Sequence, residues 1–65
     1  MDNLRKRRED AGLSRFKLAM AAGVTPETIE GIEMKGTATS VENALRLAQA
    51  LGTTVEDLMG QKVAS

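Results

Sequence analysis

Cysteine, histidine, tryptophan and tyrosine are absent from the 65-residue sequence, and its only phenylalanine and proline are Phe16 and Pro26. Without cysteine there are no disulfide staples, and without cysteine and histidine no thiolate or imidazole metal sites, so the fold must rest on aliphatic packing. The remaining Ser, Thr and Asp residues form no nucleophile–base arrangement, and no carboxylate pair is spaced for acid–base work. Neither an enzyme nor a cofactor is expected. Long apolar runs are also missing. Leu18 to Val24 is among the longest, far short of the roughly 20 residues that cross a bilayer. Met1-Asp2-Asn3 shows no signal-peptide pattern, so a cytoplasmic protein without a membrane span is expected.

A charge surplus is lacking too, because nine Lys and Arg balance nine Asp and Glu. That balance does not itself favour phosphate binding. The distribution is polarised, however. Arg5, Lys6, Arg7, Arg8, Arg15 and Lys17 outnumber Asp2, Glu9 and Asp10 in the first 20 residues, and the rest of the chain carries the compensating negative charge.

What is present is regular punctuation. Gly12, Gly23, Gly36, Gly52 and Gly60 each follow a helix-forming stretch, as expected of the left-handed residue past a helix end. Ser14, Thr25, Ser40 and Thr54 stand where side-chain oxygens cap the next helix, and Pro26 follows Thr25 at a first-turn position. The predicted spans are 3–11, 15–22, 26–34, 41–51 and 55–59. Val41, Ala44, Leu45, Ala48 and Leu51 line one face of the fourth span and predict an amphipathic core helix. No strand pattern is visible. The expected fold is all-α: one compact five-helix domain over residues 1–65, enclosing a single core near the lower size limit for unaided folding.

The informative stretch is Arg15 to Glu33. Ala19 stands where two helices would cross closely, Gly23 permits a left-handed turn, and Leu18, Val24, Ile29 and Ile32 seal one helix onto the other. These residues resemble the phage-repressor or Cro-like helix-turn-helix domains, including the bacterial regulators named after a xenobiotic-response element. The likeness extends through Ala11-Gly12-Leu13-Ser14 before the second helix and Ala44 to Gly52 in the fourth. Val55 to Met59 matches the fifth.

The resemblance implies a lambda-repressor-like fold and a bacterial or phage-encoded, nucleoid-associated protein. It also implies a recognition helix at 26–34, with Thr25, Pro26, Glu27, Thr28 and Gly31 facing base edges in the major groove. Ser14, Arg15, Lys17, Lys35, Thr37 and Arg5 become backbone-phosphate candidates, with Arg15 standing where the family usually has Gln. Arg8 and Glu33 are implied as a structural ion pair.

Several residues carry two readings. The run Arg5 to Arg8 opposes the helix macrodipole, as do Glu9 and Asp10 near the helix end, at about 0.3–1 kcal/mol each. Pairs Arg5–Glu9 and Lys6–Asp10 recover only about 0.2–0.5 kcal/mol apiece. A phosphate partner would favour this order; a solvated face is the alternative. Glu27 either accepts a hydrogen bond from a cytosine amino group or stabilises its helix N-terminus. Glu30 is expected on the flank. Gly31 sacrifices about 1 kcal/mol of helix propensity, to admit DNA closely or to avoid a clash. Phe16 and Met20, an i, i+4 apolar pair, either fold back over the first helix, the favoured expectation, or meet a protein partner.

The expected function is a sequence-specific, repressor-type transcription regulator bound to double-stranded DNA. It would act as a homodimer on a two-fold operator, with contacts near Val55, Leu58 and Met59. A monomer, a protein-interaction module and an antitoxin-type regulator stay open as alternatives. The chain is expected to be either a whole Cro-like protein or part of a longer regulator.

Overall fold

The computed structural model of the protein describes residues 1–60, so the last five positions of the span expected as one domain lie outside the described residues. The described residues form five helices and no strand: α1 (Leu4–Asp10), α2 (Arg15–Ala22), α3 (Pro26–Lys35), α4 (Val41–Leu51) and α5 (Val55–Leu58). These bounds differ from the predicted ones by at most a residue at each end.

The caps explain the starts. Side-chain oxygens of Ser14, Thr25, Ser40 and Thr54 accept from the amides of Lys17, Thr28, Asn43 and Asp57, each satisfying a donor that has no partner within its helix. The ends follow the predicted logic, since α2 stops at Gly23 with φ of 75° and α3 at Gly36 with φ of 65°. Gly23 donates its amide to the Ala19 carbonyl, and Val24 donates to the same oxygen. This doubled contact closes the tight turn into α3.

The core consists of Leu4, Leu18, Ala19, Ala22, Ile29, Ile32, Leu47, Ala48 and Leu58, with Leu13, Val24, Leu51 and Val55 packed around it. Helix α2 lies centrally, against α3 on one side and α4 on another, while α5 seals α4. Within α4 the buried stripe is Ala44, Leu47 and Ala48; Val41 and Leu45, expected in the core, are exposed. The apolar face of the helix is wide, with Leu47 at one edge and Val41 and Leu45 toward the other, and contact with α2 and α5 selects the edge that is buried.

Three further expectations change. Phe16 and Met20 do not fold back over α1 and are 61% and 69% exposed. Leu58 is fully buried, which removes it from any dimer contact. The basic run is divided among partners instead of facing outward together. Arg7 pairs with Asp57 of α5 at 2.7 Å, Arg8 with Glu33 of α3 at 2.7 Å, and Arg5 with Glu9 at 3.4 Å. Lys6 and Asp10 form no ion pair among the described residues. Asn3 also ties the chain start to α5, donating its side-chain amide to the Asp57 carbonyl and its backbone amide to that of Leu58, each at 2.9 Å.

Candidate nucleic-acid interface

Helix α3 presents two faces. Ile29 and Ile32 are buried against the rest of the domain, while Glu27 and Glu30 are exposed and Gly31 is partly so. With 3.6 residues per turn, Glu27, Gly31 and Met34 at i, i+4 and i+7 fall on one face. A shallow groove of about 280 Å³ runs along it, lined by Glu27, Thr28, Gly31, Thr37, Ser40 and Asn43 among others. The opposite wall is therefore the α3–α4 loop and the first turn of α4.

At the start of α3, the Thr25 side chain accepts from the Thr28 amide at 3.2 Å and lies 2.8 Å from the Thr28 hydroxyl. The two hydroxyls share one hydrogen bond, so one O–H is left to donate outward whichever is the donor. Pro26 occupies the first turn, where its missing amide costs nothing. Glu27 has no ion-pair or hydrogen-bond partner among the described residues, so its carboxylate is available to a donor on a ligand.

Gly31 sits in the middle of the groove. A Cβ added there would meet only the Thr37 side chain, at 3.6 Å to Oγ1 and 3.8 Å to Cβ. These are ordinary van der Waals separations, so no clash inside the protein requires glycine. Thr37 is anchored in place by its amide, which donates to the Gly31 carbonyl at 3.1 Å. Lys35 borders a smaller depression shared with Glu27, Glu30 and Gly31, and is the one cation on α3.

Ser14, Arg15 and Lys17 cluster at the start of α2. The Ser14 hydroxyl oxygen accepts from the Lys17 amide at 3.1 Å and keeps its proton for another acceptor. Arg15 is not simply extended into solvent: its Nε donates to Glu33 Oε1 at 3.1 Å, and its Nη2 lies 3.5 Å from the Met34 sulfur. Arg8 approaches the same carboxylate in two-pronged fashion, Nε to Oε2 at 2.7 Å and Nη2 to Oε1 at 3.0 Å, and donates Nη1 to the Leu13 carbonyl at 2.9 Å. The Glu33 side chain has 0% solvent exposure. Burial pushes its carboxyl upward, but hydrogen bonds from Arg8 and then Arg15, with their charges, outweigh this and hold it below the usual carboxylate range. The hydrogen bond to Glu33 raises the Arg8 guanidinium in turn, against the cost of its own desolvation. Arg5, on α1, does not line the groove.

Groove or face residues beyond those expected are Met34, Asn43 and the loop residues Ala38, Thr39 and Ser40. Met34 lies on the Glu27–Gly31 face and is exposed; the i+7 spacing could have revealed it. Asn43 enters from α4, a placement that depends on how α4 docks and left no signal in the sequence.

A helix-turn-helix family description matches residues 4–58, from the first residue of α1 to the last of α5. The chain belongs to the Cro/C1-type helix-turn-helix family. This is a family of DNA-binding transcription regulators and not one of enzymes. No individual curated protein matches the chain. In this helix-turn-helix domain, α2 and α3 are the two helices of the motif, joined by the turn at Gly23 and Val24, with the α3 groove on the outer side. No helix among the described residues is long and apolar enough to cross a membrane.

Proposed function

We propose that the protein is a sequence-specific transcription regulator of the repressor type, without catalytic activity, that lays α3 in the major groove of an operator. The observation carrying this reading is the open groove along α3, lined by Glu27, Thr28 and Gly31, where Gly31 adds no side chain that would hold a base pair away. Thr25, Pro26, Glu27, Thr28 and Gly31 face the base edges, while Ser14, Arg15, Lys17, Lys35 and Thr37 take backbone phosphates. With no Arg or Lys along Thr25 to Gly31, the paired donor that reads guanine is lacking there, and with no Asn or Gln so is the bidentate partner of adenine. Glu27 instead accepts from a cytosine amino group, and the Thr methyls meet thymine.

A homodimer places one α3 per half-site, about 34 Å apart on the duplex. The exposed side chains of Val41 and Met59, bordering an apolar groove of about 320 Å³ with Val55, are the surface that fits a second copy. Met59→Lys then shifts sedimentation from dimer to monomer and weakens operator binding.

Selection of duplexes from a random DNA pool tests the reading. Wild-type protein should enrich one motif and lose affinity steeply with salt. Glu27→Gln should move the preference at one base pair per half-site from cytosine toward adenine. Failure to enrich any motif, with binding indifferent to salt, would sink the proposal.

A second reading is favoured by the exposure of Phe16 and Met20 on α2. An apolar pair left uncovered by the domain's own helices fits a protein partner on that face, alongside or in place of DNA.

A further inference from the structure

Methionine supplies the only sulfur in the chain, at Met1, Met20, Met34 and Met59, since cysteine is absent. Met20, Met34 and Met59 are exposed to solvent. Met34 differs from the others in its neighbour. Among the described residues it is the one methionine whose sulfur meets a hydrogen-bond donor, the Nη2 of Arg15 at 3.5 Å. That guanidinium is held in place, because its Nε donates to Glu33 Oε1 at 3.1 Å and the Glu33 carboxylate is itself fixed by Arg8 through bonds of 2.7 and 3.0 Å.

A thioether is a weak acceptor, so a fully charged donor faces a sulfur that can give it little. One added oxygen corrects the mismatch. A hydroperoxide delivers it: a sulfur lone pair attacks the outer peroxide oxygen, the S–O bond forms as the O–O bond breaks, and the peroxide's proton passes to the departing oxygen, which leaves as water or an alcohol. Sulfur is oxidised by two electrons and the peroxide is reduced by two. The product is a neutral sulfoxide with a strongly polar oxygen, and a bond to it from a guanidinium is charge-assisted, roughly twice as strong as a neutral one.

Position gives the modification a consequence. Met34 shares its face of α3 with Glu27 and Gly31, the face that the DNA-binding reading above lays against the duplex. There the sulfoxide oxygen brings partial negative charge toward the phosphates, holds Arg15 along the helix and must shed its water as DNA docks. All three effects oppose binding.

We propose that Met34 is a sulfoxidation site read by Arg15: a hydroperoxide converts the thioether to a sulfoxide, Arg15 Nη2 captures the new oxygen, and α3 loses affinity for DNA. The last step rests on the DNA-binding reading. Reduction of the sulfoxide reverses it.

The test applies hydrogen peroxide to two proteins that differ only at Met34: a Met20→Leu/Met59→Leu variant, and the same variant carrying Met34→Leu as well. Leucine conserves apolar volume, and far-ultraviolet circular dichroism verifies that both fold. Mass spectrometry of their peptides locates the added oxygen. On a duplex selected by the wild-type protein, peroxide should weaken binding by the Met34 protein roughly tenfold and leave the Met34→Leu protein unchanged, and methionine sulfoxide reductase should restore the loss. Independently of DNA, the Arg15 Nη signals in proton–nitrogen correlation spectra should shift and sharpen when the Met34 protein is oxidised, and not in the Met34→Leu protein. Equal losses of affinity in the two proteins, Arg15 signals that do not move, or a Met34 that resists peroxide while Met20 of the wild-type protein is oxidised would each overturn the proposal. A wild-type protein that selects no duplex would overturn the DNA-binding reading, while the spectra still decide whether Arg15 captures the oxygen.

Discussion

Gly31 separates what the free domain needs from what a ligand needs. Its neighbours leave ordinary contact distance for a methyl group, and alanine is favoured over glycine in a helix interior by about 0.8–1.0 kcal/mol. Gly31→Ala should therefore raise the melting temperature by roughly 4–8 °C for a domain of this size, as read by circular dichroism, while putting a methyl into the groove and weakening DNA binding. A variant that melts lower would mean that the loop around Thr37 cannot accommodate the methyl. At this same scale the sequence was most informative about local chemistry. Caps at Ser14, Thr25, Ser40 and Thr54 depend on neighbours within three residues, so they can be read directly. The third member of the Glu33 cluster could not be. Arg15 and Glu33 are far apart in the chain, and nothing in their spacing says that one carboxylate serves two guanidiniums.

At the scale of elements, existence and order were legible because a Gly follows every helix and Ser or Thr caps four of the five starts, whereas rotation about a helix axis was not. Helix α4 shows why. Val41 and Leu45 lie toward one edge of its apolar face and Leu47 at the other, and periodicity cannot rank the edges when both are apolar. The structure buries Leu47 completely and leaves Leu45 49% exposed. Leu47→Ala should cost about 2–5 kcal/mol through lost burial and a residual cavity, whereas Leu45→Ala should change stability by no more than about 0.5 kcal/mol. Denaturant midpoints of the two variants measure the difference, and equal losses would contradict this docking of α4. The same rotation explains why Asn43 reaches the α3 groove unannounced, since its placement follows from which edge is buried.

For the whole molecule, ion pairs join segments that the aliphatic core alone leaves loosely coupled. Arg8–Glu33 connects α1 to α3, and Arg7–Asp57 connects α1 to the four-residue α5. Hydrogen bonds from Arg7 and then Thr53 hold the Asp57 carboxyl below its ordinary range, as Arg8 and Arg15 do for Glu33. Both groups ionise in the unfolded chain at their ordinary values of about 3.9 for Asp and 4.3 for Glu. Above that range their contribution to stability is fully present. As pH falls below it, the unfolded chain takes up protons first, and the contribution is lost until the lower native values are passed. Denaturant midpoints should accordingly be flat between about pH 7 and pH 5 and drop from about pH 4 downward. A midpoint unchanged at about pH 3 would mean that these pairs add nothing to folding. Exposure of Asp57 and Arg7 screens their share, so Glu33 dominates the drop.

The outward position of Phe16 has an optical consequence. With no tryptophan or tyrosine in the chain, the protein is nearly dark in ultraviolet fluorescence, and Phe16→Trp would install a lone fluorophore on the uncovered side of α2. The free variant should emit with the red-shifted maximum of a solvated indole and be readily quenched by iodide. A partner that covers this side would shift emission to the blue and shield the indole from quencher. DNA lying along α3 without touching Phe16 would leave both signals as they were, so one titration reports which face of the motif is occupied.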